Sequence, residues 1–292
     1  MDILLENIYM NNILIIGGKG YIGSRLKDYL SLFKYTITTY DLIDNRNIAN
    51  IDKNFLQLFD CIIYLAGESV ATQCEKYPVT TWNNNVENFI NTVNLLTDNQ
   101  KFIYASSGSV YGQTGSYPQS EDCKLNNPIQ QYDLQKQIID KYMLDNKFVD
   151  QWFGLRFGTV CGYSSNPRNR LLVNSMVRSA IRGNKVTVTN AESFRAILGL
   201  KDLCRAMYSI ITSKENESGI YNLATFNTSF GDLGERVASF LDVEFIYSPG
   251  QDKYSFALNT SKFQNNFNFE FVNSLESIIN ECKKNDFAKD RL

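Results

Sequence analysis

The chain has 292 residues, with 29 Lys and Arg against 31 Asp and Glu, a formal charge of −2 and no histidine. An isoelectric point near 5.4 and no basic run of five or more argue against a nucleic-acid surface as its main business. Without histidine, Ser-His-Asp hydrolysis, Cys-His proteolysis and His-ligated zinc are excluded, and acid–base chemistry falls to Tyr, Lys, Asp, Glu or Cys.

The length suits one large α/β unit with a smaller lobe. Apolar runs such as Ile13–Ile16 and Ile62–Ala66 are strand-length, far short of the roughly 20 residues a membrane span needs. The leader Met1–Asn11 carries Asp2 and Glu6 and lacks a basic start and a small-residue cleavage site, so no signal peptide is read there. Met10 is an alternative start. The six cysteines are scattered with no C-x-x-C, which predicts reduced, mostly buried thiols, no metal site and a cytoplasmic protein.

In chain order, strands are expected at 13–16, 36–40, 61–65, 102–105 and 151–156. Helices are expected at 22–30, 82–96 and 131–144. Alternation of this kind predicts a parallel sheet covered on both faces. Around Tyr163–Arg170 the pattern loosens, marking a passage into a second lobe. A strand and helix follow over 194–211, then a helix at 230–241, a strand at 244–247 and a helix near 275–283. The expected division is 1–165 for the first domain and 166–292 for the lobe, with 194–225 returning to the first domain.

The first strand runs into Gly17-x-x-Gly20-x-x-Gly23 and then a helix. The glycines allow a tight turn and close approach of backbone to a pyrophosphate, and the helix N-terminus offers N–H groups to it. Gly17, Gly20, Tyr21, Ile22 and Gly23 are therefore the candidate phosphate cradle. Asp41 ends the second strand, placed to accept from ribose hydroxyls and repel a 2′-phosphate. That favours NAD over NADP; Arg46, five residues on, could soften the preference.

Tyr132 and Lys136 are four apart, on one face of the expected helix 131–144. A fixed positive charge lowers a tyrosine's pKa toward working pH, so the pair is a candidate proton-transfer device. The strand 102–105 ends in Ser106-Ser107-Gly108-Ser109-Val110-Tyr111-Gly112, where hydroxyls at a carboxyl edge can meet a substrate oxygen. A polar loop accounts for those serines equally well.

Together these segments resemble the extended short-chain dehydrogenase/reductase family of nucleotide-sugar epimerases, dehydratases and reductases, over nearly the whole chain. The glycine triplet, Phe59–Gly67, Asn85-Val86, Ser106–Gly112, Asn127–Tyr132, Arg156–Gly162, Arg195–Asp202 and Asn259–Lys262 carry the likeness. The resemblance implies a Rossmann-type doubly wound sheet with a small C-terminal α/β substrate lobe, and NAD lying along Leu65, Ala66 and Gly67. It implies Tyr132 as acid/base, Lys136 holding the nicotinamide ribose, and Ser107 stabilising charge on the sugar oxygen. Ser109, Asn174 and Arg195 would contact a nucleotide-diphosphate sugar. A homodimer through helices 82–96 and 131–144 is expected, with Leu134, Ile138 and Tyr142 as a stripe that core packing would explain equally.

Departures narrow the chemistry. Gly108 and Ser109 stand where 4,6-dehydratases of the family carry Asp-Glu, so dehydration is disfavoured; 3,5-epimerisation lacks its Cys and His. Cys161 replaces a tyrosine and reads as a buried thiol. Redox at a sugar carbon, most often C4, remains, either as a 4-epimerase or as a 4-keto-sugar reductase. The compact lobe leans toward the reductase. A non-catalytic sensing or scaffold protein on the same fold is the alternative, against which Ser107, Tyr132 and Lys136 all stand.

Overall fold

The computed structural model describes residues 11–146, 148–214, 216–250 and 254–288. The leader up to Met10, read above as non-secretory, lies outside them. Six parallel strands, β1 (Asn12–Ile16), β2 (Thr36–Tyr40), β3 (Cys61–Tyr64), β4 (Lys101–Ser107), β5 (Gln151–Phe157) and β6 (Gly219–Leu223), form the main sheet. Their order is β2-β1-β3-β4-β5-β6. The chain steps one way from β1 to β2 and the other way from β3 onward. The crevice between the ends of β1 and β3 is therefore where such a sheet takes a ligand.

Near-continuous apolar strands are what a sheet covered on both faces requires. Ile13 and Ile15 pack with Leu26, Leu30, Leu203 and Met207 on one face. Leu14 and Ile16 pack with Val86, Phe89, Ile139 and Met143 on the other. The five expected strands are all present, and β6 joins them as a sixth. Its alternation is masked by a buried Asn222, which donates to the carbonyls of Gln119 and Asn259.

The expected helix over 82–96 forms, shifted to Pro78–Val93 and with a π-turn inside it. A helix at Pro78–Trp82, a π-turn at Asn83–Glu87 and a helix at Asn88–Val93 follow one another. The π-turn swings Asn85 inward, where it accepts from the Glu68 N–H at 2.7 Å and donates to the Glu68 carbonyl at 2.9 Å. That amide ties the loop after β3 to this helix. Of the segment 194–225, Phe194–Gly199 joins a separate three-stranded sheet with Thr159–Cys161 and Phe226–Ser229, while helix Leu200–Thr212 and β6 build the main sheet. A third pair, Lys185–Thr189 with Glu244–Ser248, completes the lobe around Val173, Val177, Leu233 and Ile278.

The described cysteines are all free, and all but Cys123 are buried. Cys161 donates to the Leu198 carbonyl, and burial raises its pKa well above the usual thiol range. No helix among the described residues is long and apolar enough to cross a membrane. Of the stripe Leu134, Ile138 and Tyr142, the last two pack inside the monomer, and Tyr142 donates to Asn94 at 2.9 Å.

Beneath the sheet's carboxyl edge, Arg156 of β5 donates to Asp140 at 2.9 Å and to the Tyr111 hydroxyl at 2.8 Å. Tyr104 of β4 donates to the other Asp140 oxygen at 3.2 Å. Arg156 is 3% exposed and Asp140 1%. Removing one partner leaves a buried charge alone, so Asp140→Ala should cost about 3–5 kcal/mol in urea unfolding. A loss under 1 kcal/mol would mean that water reaches the pair.

Candidate active site

A cleft of about 1220 Å³ runs along the carboxyl edge, from the glycine turn to the lobe. Its first wall is built by the turn after β1. Gly17 has φ +80°, and a Cβ there would lie 2.6 Å from the Ala66 nitrogen, so only glycine brings β1 and the β3 loop so close. At Gly23 a Cβ would lie 2.3 Å from the Gly17 carbonyl, which fixes how closely helix Tyr21–Leu30 meets the turn. Gly20 is different: a Cβ would meet only the Gly17 carbonyl, at 3.3 Å, and otherwise fill the cleft. No side chain caps the amino end of that helix. An open cradle facing bare amide donors is what a pyrophosphate needs.

Asp41 accepts from the Lys19 N–H at 2.9 Å and the Ile43 N–H at 3.1 Å, which fixes its carboxylate at the cleft. Beside it a smaller cavity of about 210 Å³ is lined largely by the apolar Leu42, Ile48, Leu65 and Ala66 and by Tyr40, a surface suited to an adenine. Arg46 also lines that cavity, donates to the Thr39 carbonyl at 3.2 Å and lies over the Tyr40 ring. Tyr21 and Ile22 line the main cleft, as do Leu65 and Gly67. The residues present fit a dinucleotide with a free ribose 2′-hydroxyl.

Ser107 ends β4, and Tyr132 and Lys136 stand on helix Gln131–Asp145, which packs against β4. Ser107 and Tyr132 both line the cleft, and the Ser107 hydroxyl favours the ionised form of the phenol. Lys136 is buried behind them, donating to the Ala105 carbonyl at 2.7 Å with its Nζ 5.8 Å from the Tyr132 ring centre. Burial pushes Tyr132 up to about 12, against the pull of Ser107 and the Arg168 guanidinium. Burial likewise lowers Lys136 to about 8, with Asp140 opposing.

Arg195 forms the far wall. Its guanidinium lies 5.0–5.5 Å from the ring centres of Phe230, Tyr254 and Phe256 and donates to the Tyr254 carbonyl. Burial lowers its pKa to about 10, against Tyr254 and Asp133. A stacked, partly desolvated arginine is ready-made for a phosphate. Ser109 lines the same end.

Asn174 does not. Its carbonyl oxygen accepts from the Gly162 N–H and the Cys282 thiol, both at 3.1 Å, and its NH₂ donates to the Tyr21 hydroxyl and the Arg168 carbonyl, also at 3.1 Å. With every hydrogen-bonding position taken and no exposure, it braces Tyr21 from behind rather than meeting a ligand. The expectation of a direct diphosphate contact is corrected accordingly.

Sequence reasoning passed over Arg168, Tyr254 and Asp133, all of which line the cleft. Arg168 reaches across it to donate to Ser69 at 2.5 Å. The Ser-Ser-Asn-Pro-Arg passage between lobes could have flagged it, since a loop arginine at a domain crossing is a common anion contact. Tyr254 sits in a stretch with no periodic signal.

Fold and cleft together define a doubly wound, dinucleotide-dependent class of enzyme. Residues 13–224 match the NAD dependent epimerase/dehydratase family, to which this chain belongs. It is 26% identical to the UDP-glucose 4-epimerase of Lactobacillus helveticus, over 86% of this chain and 89% of that one. In fold it is similar to MoeE5 in complex with UDP-glucuronic acid and NAD (TM-score 0.81, 19% identity, 93% of this chain and 97% of that one). It is similar too to the UDP-glucose 4-epimerase of Thermotoga maritima (TM-score 0.78, 20% identity, 93% and 97%).

The buried lysine has a measurable cost. A lysine at about 8 when folded and about 10.4 when unfolded is fully penalised below pH 8, and the penalty fades as pH rises toward the unfolded value. Lys136→Met should therefore stabilise the cofactor-free protein by roughly 1–3 kcal/mol at pH 7. In thermal unfolding that gain should shrink between pH 8 and 10; a gain constant across the range would show that Lys136 carries no such penalty.

Proposed function

We propose that this protein is an NAD-dependent nucleotide-sugar 4-epimerase acting on a UDP-sugar. The observation that carries the reading is the meeting of Ser107 and Tyr132, backed by Lys136, midway along one cleft between the glycine cradle and Arg195. A ligand spanning that length has a dinucleotide at one end and a diphosphate at the other, with a sugar carbinol between them.

Bound NAD would supply a hydride acceptor over the sugar carbon. Tyr132 takes the hydroxyl proton as the carbonyl forms and returns it afterwards. Lys136, anchored on the Ala105 carbonyl, holds the ribose and supplies positive charge behind the phenol. Ser107 donates to the oxygen on which charge develops. Gly17, Gly20 and Gly23 hold the pyrophosphate, Asp41 the adenosine ribose, and Arg195 with Ser109 the nucleotide-sugar side. Gly108 and Ser109 offer no carboxyl to strip a C5 proton, which disfavours 4,6-dehydration.

The compact lobe does not weigh for a reductase, because the chain already spans 97% of the Thermotoga maritima UDP-glucose 4-epimerase. Dimerisation through the helices around Pro78–Val93 and Gln131–Asp145 is part of the proposal; Tyr77, Val79 and Leu144 stand exposed there.

The test is to incubate the purified protein with UDP-galactose without added cofactor, and to denature a second sample and identify what it releases. The expected result is conversion to UDP-glucose, with close to one NAD per chain. Tyr132→Phe should lower kcat by about 10²–10⁴-fold while keeping the dinucleotide. Turnover that requires added NADPH, with reduction of a keto-sugar, would replace the epimerase with a reductase.

A further inference from the structure

Residues 164–168, in the passage between the lobes, have no part in the scheme above. Yet Asn166, Pro167 and Arg168 line the cleft, and the side chains around them reach both of its walls. Asn166 donates from its NH₂ to the Lys19 carbonyl on the glycine turn at 2.6 Å. Arg168 donates to Ser69 Oγ on the loop after β3 at 2.5 Å. Behind them Ser164 donates to the Tyr21 carbonyl at 2.7 Å, and Ser165 to the Asp28 carboxylate at 3.2 Å. The ties to Lys19 and Ser69 lie on opposite sides of the crevice between β1 and β3.

What holds the segment is as informative as where it lies. Each of these ties is made by a side chain of the segment. Among the described residues, no backbone–backbone hydrogen bond joins 164–168 to the glycine turn, to helix Tyr21–Leu30 or to the loop after β3. Pro167 has no N–H to satisfy, and it holds Asn166 extended. The two ends are anchored separately: the Ser164 N–H donates to the Asn285 side chain, and the Arg168 carbonyl accepts from Asn174. Ser164 and Asn169 are buried, whereas Ser165 is exposed and Asn166 and Arg168 are half-buried. A stretch pinned at both ends, and closed between them by side-chain hydrogen bonds, opens without melting a strand or a helix.

We propose that residues 164–168 are a strap across the cofactor crevice, with Asn166–Lys19 and Arg168–Ser69 as the clasps that set how fast the dinucleotide is exchanged. Resting on the proposed function, the strap deepens it by supplying what keeps NAD resident between turnovers. A dinucleotide on the glycine cradle and along Leu65–Gly67 lies between the two walls that the strap joins. It passes in or out only while the clasps are parted. Lys19 adds a connection, because its N–H donates to Asp41 at 2.9 Å while its carbonyl accepts from Asn166. The closed strap thus steadies the carboxylate assigned above to the adenosine ribose. Ser69 and Asn166 are positioning residues, acting on the chemistry only by keeping the cofactor in place. An enzyme that oxidises and then reduces one carbon has a use for such a strap; a reductase that exchanges its cofactor every cycle would be slowed by it.

A strap and a ligand contact leave different kinetic marks. Parting a clasp speeds entry and exit together and leaves affinity nearly unchanged, whereas losing a contact to the dinucleotide speeds exit alone. The experiment loads the purified protein with radiolabelled NAD, chases with unlabelled NAD and counts the label retained. Uptake of the same label by cofactor-free protein gives the entry rate. Wild type is compared with Ser69→Ala, Asn166→Ala and the double variant. Each single variant should speed entry and exit by roughly 3–10-fold, as the loss of one hydrogen bond implies. The double variant should speed both by about the product of the two, since the clasps are separate contacts on one strap. A merely structural role would lower thermal stability without speeding uptake.

Wild-type exchange in both single variants, or faster exit with unchanged uptake, would overturn the strap. If UDP-galactose is still converted without added cofactor, that result leaves the epimerase reading standing. Label held by wild type and exchanged faster by the variants, with no UDP-sugar epimerised, would overturn the epimerase and leave the strap. Should one variant fail to fold, the other decides by the same two rates.

Discussion

The buried pair of Arg156 and Asp140 is the interaction on which the geometry of the centre depends. Asp140 is two turns along the helix from Tyr132 and one turn from Lys136; Arg156 lies on the strand paired with β4. Tyr104 and Tyr111 bring the strand carrying Ser107 and the loop beyond it onto the same two charges. Tyr111 passes the connection to Asn222 on β6 at 2.9 Å. A helix packed on a sheet by apolar side chains alone can slide at modest cost, since such contacts carry little direction. Two charges with fixed hydrogen-bond vectors cannot slide without being left unpaired at low dielectric. The Tyr132 phenol and the Ser107 hydroxyl are thus set relative to each other by a contact behind both of them.

Desolvation is the second constraint, and it acts against charge on four groups of the cleft and its wall. It raises Tyr132 and Asp133 and lowers Lys136 and Arg195. An empty cleft therefore disfavours charge on all four. Ligands of the expected kind would reverse this for two of them, because a cationic ring near Tyr132 favours the phenolate and a diphosphate beside Arg195 favours the guanidinium. Binding and ionisation are linked, so the charges that do the chemistry are developed most fully when substrate and cofactor are both in place.

What was legible in the sequence follows from which physical rule fixed each feature. The glycine turn and Asp41 were readable because backbone sterics and strand ends are local. The Tyr132–Lys136 relation was readable because helical spacing is local as well. Asn174 was misplaced for the opposite reason. The face that a residue on Leu172–Gly183 presents depends on how that helix packs under Tyr21 and Cys282, and no local rule carries that information. The π-turn inside the helix Pro78–Val93 went unread because the contact it serves, Asn85 on the Glu68 backbone, spans 17 residues of sequence. Strand β6 was hidden by Asn222, a polar residue in a fully buried strand whose partners come from distant segments.

Asp133 shows two opposing local effects meeting in one group. The first turn of a helix stabilises a carboxylate, by about 0.3–1 kcal/mol at exposed sites, so position alone would keep Asp133 ionised. Burial works against this, and its effect is the larger one here, as the upward shift of the pKa shows. The carboxylate accepts from the Gln130 N–H at 3.2 Å, so the group that closes the amino end of the helix also fixes where that helix begins, one residue before Tyr132.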